Sequence, residues 1–128
     1  MNIGKASSQS GLPSRTIRYY EDIGFIKPER RDSGYRDFSS DDVELLKFVR
    51  GARAHGFTIE ECRKLLSLYL DQSRTSAQVK KFALAKVEGI DAEIAKLKAR
   101  RKELLAMARR CNGDDTAECA ILDGLAGN

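Results

Sequence analysis

The sequence has no tryptophan, only two prolines, one histidine and three cysteines. With so little proline, and with hydrophobic residues at 41%, the chain is neither a linker nor a disordered tail, and it should fold. No apolar run approaches the ~18 residues that a membrane span requires. Residues 1–10 lack the basic stretch followed by an apolar one that marks a secretory signal. Three cysteines do not make a disulfide scaffold, so the expectation is a reduced, cytoplasmic protein whose thiols are available for metal or redox chemistry. The single histidine, His55, falls at an expected helix C-terminus, where partial positive charge is favourable, and this local role is preferred over a metal role. At 128 residues there is room for one domain or two small ones, and not for a large multidomain enzyme.

The net charge of +4 is unevenly spread. Residues 1–36 carry 7 basic and 4 acidic groups, 37–73 carry 5 and 7, 74–110 carry 11 and 4, and 111–128 carry no basic and 4 acidic groups. A basic front and a long basic helix suit a polyanion such as nucleic acid, although a merely well-solvated surface gives a similar profile.

Along the chain, Asn2 caps a short helix to about Ser8, and Gly11-Leu12-Pro13 turns into a second helix that ends at Gly24. On that second helix Ile17 and Tyr20 share one side, and Arg15, Arg18, Tyr19 and Asp22 the other. Two short helices, a tight turn and a cationic second face outline a helix-turn-helix. From Arg30 to Phe38, the Asp32-Ser33-Gly34 turn between short extended arms predicts a hairpin wing. Its arginines and Tyr35 suit phosphate contacts, with a solvated loop as the alternative. Ser39 with Asp42, and Thr58 with Glu61, have capping-box spacing and open a third and a fourth helix. Val43, Leu46, Val49 and Ala52 or the aliphatic stem of Arg53 form the apolar stripe of the third, and Ile59, Cys62, Leu65, Leu66 and Tyr69 that of the fourth. Cys62 therefore reads as a small core residue.

Thr75 and Gln78 repeat the capping spacing and open a helix of roughly 35 residues running to about Arg109. Ala83, Val87, Ile90, Ile94, Leu97, Arg101, Leu104 and Ala108 make a heptad seam, broken by Arg101. Such a seam wants a partner helix, most commonly from a two-fold homodimer; folding back on its own domain is the alternative.

Cys111 and Cys119 follow, separated by a Gly- and Asp-containing segment short enough to bring both sulfurs to one point. Two thiolates are too few for a closed zinc site, whereas Cu(I) is soft and accepts two thiolate ligands. A redox disulfide, or no specific role, remains open for the pair. Two thiolates with a monovalent ion leave one negative charge, for which the first turn of the long helix and Lys80 offer compensation.

Taken together, Ile3-Gly4, Ala6, Gly11-Leu12, Thr16-Ile17-Arg18-Tyr19-Tyr20-Glu21, Gly24-Phe25-Ile26, Arg30, Gly34-Tyr35-Arg36, Phe38, Arg50, Gly56-Phe57, Ile59 and Cys111-Asn112-Gly113-Asp114-Asp115 with Cys119 resemble the MerR family of transcription regulators, and within it the copper-responsive branch. The resemblance covers nearly the whole chain. It implies a mainly α protein: a winged helix-turn-helix DNA-binding domain over 1–70, an antiparallel coiled-coil dimerisation helix over 75–110, and a metal-binding loop with a short helix over 111–128. It implies Arg15, Arg18 and Tyr19 at the major groove, and Arg31, Tyr35 and Arg36 on backbone phosphates. Metal binding then distorts a promoter with an overlong spacer so that RNA polymerase engages it, while the metal-free protein represses. Ser76 stands where mercury and divalent-metal sensors of the family carry a cysteine, and Lys80 matches a lysine near the buried site. Both favour Cu(I), Ag(I) or Au(I) at Cys111 and Cys119. The alternatives are a sensor of another metal or of a thiol-redox signal, and a cytosolic copper-binding protein that ignores DNA. An enzyme is not expected: no acid, base and nucleophile constellation appears, and the C-x7-C spacing is not that of a thiol oxidoreductase.

Overall fold

The computed structural model describes residues 1–127; Asn128, the last residue of the expected 111–128 segment, lies outside them. Among the described residues six helices and one hairpin follow in order: α1 (Ile3–Ser10), α2 (Ser14–Asp22), β1 (Glu29–Arg30), β2 (Arg36–Asp37), α3 (Ser40–Ala54), α4 (Ile59–Leu70), α5 (Ser76–Arg110) and α6 (Ala120–Leu125). They form two compact units that divide within α5, after Lys80.

In the first unit, local chemistry sets each boundary. Asn2 accepts the Lys5 amide at 2.9 Å and caps α1. α1 runs two residues beyond the expected Ser8, because Gly11 closes it in the left-handed conformation (φ 78°) with its amide on Ser7 O. Only a residue without Cβ enters that turn freely, and a Cβ there would also lie 2.4 Å from the Arg50 guanidinium. Pro13 precedes the first residue of α2. α2 stops at Asp22, before the expected Gly24, as Ile23 caps it and Gly24 turns the chain. Ser39–Asp42 and Thr58–Glu61 are reciprocal capping boxes. The wing is an antiparallel ladder of two pairs, Glu29 with Asp37 and Arg30 with Arg36.

The core gathers one side chain or more from nearly every element: Ala6 of α1, Ile17 and Tyr20 of α2, Phe25, Ile26 and Phe38 around the wing, Val43, Leu46 and Val49 of α3, and Cys62 and Leu66 of α4. Each large apolar side chain so enclosed contributes about 1.5–3 kcal/mol. Cys62 is fully buried there, as expected. Tyr69 stays half-exposed and stacks on Phe48, ring centroids 4.3 Å apart.

Thr75 and Gln78 cap α5 by exchanging backbone amide and side-chain bonds of 2.9 and 3.2 Å. Beyond Lys80, α5 continues with its apolar seam open: Val87, Ile90, Ile94, Leu97 and Leu104 are all exposed. In this second unit α6 packs back against the end of α5, where a Cβ on Gly124 would meet Met107 Sδ at 2.8 Å. No described helix is long and apolar enough to cross a membrane.

Candidate functional site

Two groups of expected residues fall in the first unit. α2 turns Ile17 and Tyr20 into the core and leaves Arg15, Arg18 and Tyr19 exposed, as the spacing predicts. A hollow of about 460 Å³ between α1, α2 and the wing is lined by Asn2, Ile3, Arg18, Arg31, Ser33, Tyr35 and Arg36. Arg18, Arg31, Tyr35 and Arg36 are thus brought together; Arg15 and Tyr19 share the exposed side of α2 without lining the hollow.

The three wing side chains differ. Tyr35 is 76% exposed, beside the turn made by Gly34 (φ 85°). Arg31 is exposed and 3.8 Å from Asp37. Arg36 is withdrawn, its side chain 27% exposed and its Nε donating to Glu21 of α2. The wing base is tied to the start of the chain: the Met1 α-ammonium donates to Asp37 Oδ1 at 2.6 Å and to Phe38 O at 2.7 Å, and the Phe38 amide donates to Met1 O. That ammonium, by hydrogen bond and charge, holds the Asp37 carboxyl below its usual range, with a smaller contribution from Arg31.

Ser76 and Lys80, in the first two turns of α5, line a shallow hollow with Gln72, Arg74 and Val79. The whole of α5 separates them along the chain from Cys111 and Cys119.

In the second unit the helix end and the loop build a thiol pair. Cys111 directly follows α5, its amide shared between Met107 O and Ala108 O. Gly113 adopts φ 64°, and the Thr116 amide and hydroxyl both donate to Asp114 Oδ1, at 3.0 and 2.6 Å, folding the loop back. Cys119 is the N-cap of α6. The two sulfurs lie 3.7 Å apart, both half-buried. That separation is too long for a disulfide, at ~2.05 Å. It is short enough for one ion at about 2.3 Å from sulfur to bond both. The Leu122 and Ile121 amides donate to Cys119 and lower its thiol pKa, assisted by Cys111 and opposed by the Asp123 charge. A thiolate-prone Cys119 beside a second sulfur fits a soft metal ion. No group of three or more His, Cys, Asp or Glu able to hold a metal occurs among the described residues. Cys62 differs: burial pushes its thiol up.

The residue that sequence reasoning left without a role is Glu21. Its carboxylate receives Arg30 Nη2 at 3.2 Å as well as Arg36. An acid next to the buried Tyr20, inside the basic front segment, was the available signal.

Residues 1–68 match the family described as "MerR HTH family regulatory protein", and residues 43–107 match "MerR, DNA binding". The chain is 50% identical over 126 residues to the HTH-type transcriptional regulator HmrR of Rhizobium leguminosarum bv. viciae, covering 98% of each protein. It is 44% identical over 128 residues to the HTH-type transcriptional regulator CueR of Salmonella typhi, covering 99% of this chain and 93% of that one. Among solved structures it is similar to the transcription regulator PbrR691 of Ralstonia metallidurans CH34 in complex with lead(II), with a TM-score of 0.85 and 28% identity over 98% of each chain.

Proposed function

The chain belongs to the MerR family of helix-turn-helix regulators, and we propose that it is a cytoplasmic, homodimeric transcription activator whose signal is Cu(I), or Ag(I) or Au(I), held by Cys111 and Cys119. The observation that carries the metal reading is the pair of sulfurs at 3.7 Å, with no third thiol, imidazole or carboxylate grouped with them among the described residues. The lead(II) bound to PbrR691 supports a metal signal in general; the two-sulfur donor set favours a soft monovalent ion.

In this reading Arg15, Arg18 and Tyr19 of α2 face base edges in the major groove, and the wing, through Arg31, Tyr35 and Arg36, holds phosphates. Residues 1–70 act as the DNA-binding domain, 75–110 as the dimerisation helix and 111–128 as the metal loop. The exposed α5 seam pairs with its copy in antiparallel fashion. That pairing brings Ser76 and Lys80 of one subunit toward the loop of the other, where serine adds no thiolate and lysine offsets the residual negative charge. Cys111 and Cys119 would hold the ion, and its binding would tie the end of α5 to the start of α6. The loop residues, so ordered, bias the DNA-binding halves toward the geometry in which RNA polymerase engages the promoter.

The test separates a regulator from a copper carrier. Duplexes enriched from genomic fragments by the full chain are titrated by fluorescence anisotropy. The wild type should bind with and without Cu(I), losing about 10³- to 10⁵-fold in affinity between ~50 and ~200 mM salt if ~6 to 10 phosphates are neutralised. Arg18→Ala should abolish specific binding while leaving Cu(I) stoichiometry intact. An Arg18→Ala protein that binds DNA like the wild type contradicts the assignment. A thiol-redox sensor is the second reading, favoured by the acidified Cys119 beside Cys111; diamide would then activate transcription in place of metal.

A further inference from the structure

We propose that Glu21 is a positioning residue of the DNA interface: from the end of α2 its carboxylate holds both arms of the wing through Arg30 and Arg36, and so fixes where the wing meets the duplex. This rests on the DNA-binding reading above.

The Glu21 side chain is only 16% exposed, deep for a carboxylate on a helix whose outer face is offered to a polyanion. Its two oxygens are divided between two guanidinium groups. Oε2 receives Arg30 Nη2 at 3.2 Å, and Oε1 receives Arg36 Nε. Arg30 and Arg36 are partners across the wing ladder, and Arg30 Nη1 also donates to Gly34 O at the turn, 3.1 Å. One carboxylate on α2 therefore secures β1, β2 and the turn between them. Such fastening is needed, because a ladder of two residue pairs cannot hold its own orientation. The Met1 ammonium fastens the other end of β2, at Asp37.

The role of Arg36 is refined by this geometry. With Nε committed to Glu21 and the side chain mostly withdrawn, Arg36 serves DNA through the clamp. The exposed Arg31 and Tyr35 reach phosphates directly.

Charge gives the proposal a distinctive sign. A carboxylate near DNA with no positioning role repels phosphate, so neutralising it tightens binding. The clamp requires the opposite. With a duplex that the wild type has selected, Glu21→Gln should weaken binding about tenfold, the scale of losing a charge-assisted hydrogen bond. Hydroxyl-radical footprints should lose protection at the wing-contacted flanks and keep it where α2 enters the major groove. Arg36→Gln placed on Glu21→Gln should add less than about twofold, since both remove one unit. Should Glu21→Gln fail to fold by circular dichroism, Glu21→Asp keeps the charge but shortens the reach, and weakened binding is again expected. Glu21→Gln or Glu21→Asp binding as tightly as the wild type with an unchanged footprint, or full additivity with Arg36→Gln, overturns the clamp alone. A wild type that selects no duplex overturns the clamp and the DNA-binding reading together.

Discussion

The Cys119 thiol lies under the amides of Leu122 and Ile121, which favour its ionised form, while Cys62 sits in a closed apolar core that favours the neutral one. Iodoacetamide near neutral pH should therefore label Cys119 well before Cys62, a difference that peptide mass spectrometry resolves. Because the folded pKa of Cys119 is depressed, its contribution to stability is present above the ordinary thiol value and is lost as pH falls through the folded one. At the proposed site the same protons would compete with metal. Apparent Cu(I) affinity should fall as pH drops from about 8 to about 6, measured against a chelator of known affinity. Cys111→Ser and Cys119→Ser should each abolish metal-dependent activation yet leave DNA affinity within about twofold, since neither residue belongs to the unit that carries α2 and the wing.

Helix boundaries carry the architecture at the level of elements. Ser39 and Thr58 each satisfy an amide at the start of α3 and α4, so Ser39→Ala or Thr58→Ala should cost about 1 kcal/mol in urea unfolding. Gly11→Ala should cost at least as much, because alanine meets both a positive φ and the Arg50 guanidinium. These features were legible in the sequence for a physical reason: a capping box joins residues three apart, and a glycine turn is written in adjacent letters. The loop bringing Cys111 to Cys119 was legible too, eight residues being a short tether for two sulfurs. What remained hidden spans greater separations. Glu21 finds Arg30 and Arg36 nine and fifteen residues away, and Met1 finds Asp37 thirty-six away, across turns whose direction depends on the packing of the whole unit. The withdrawn state of Arg36 could not be seen without them, because a free wing arginine and a clamped one read alike.

For the molecule as a whole, α5 poses the largest unmet demand. Five large apolar side chains at heptad spacing stand in solvent along a 35-residue helix, and an isolated chain cannot cover them. A dimer does. Replacing Ile90 and Ile94 together with glutamate should yield a monomer by sedimentation equilibrium, with specific DNA binding lost while the first unit keeps its helical signal. If the metal response depends on the proposed dimer, it should vanish in the same variant.

In vitro transcription from a promoter that the protein itself selects, under anaerobic and chelator-buffered conditions, puts the central assignment to the test when Cu(I), Ag(I) and Zn(II) are titrated in parallel. Activation by Cu(I) and Ag(I), silence with Zn(II), and loss of the response in Cys119→Ser are the outcomes expected of a two-sulfur site with serine at position 76. Equal activation by Zn(II), or a Cys119→Ser protein that still answers copper, would contradict it.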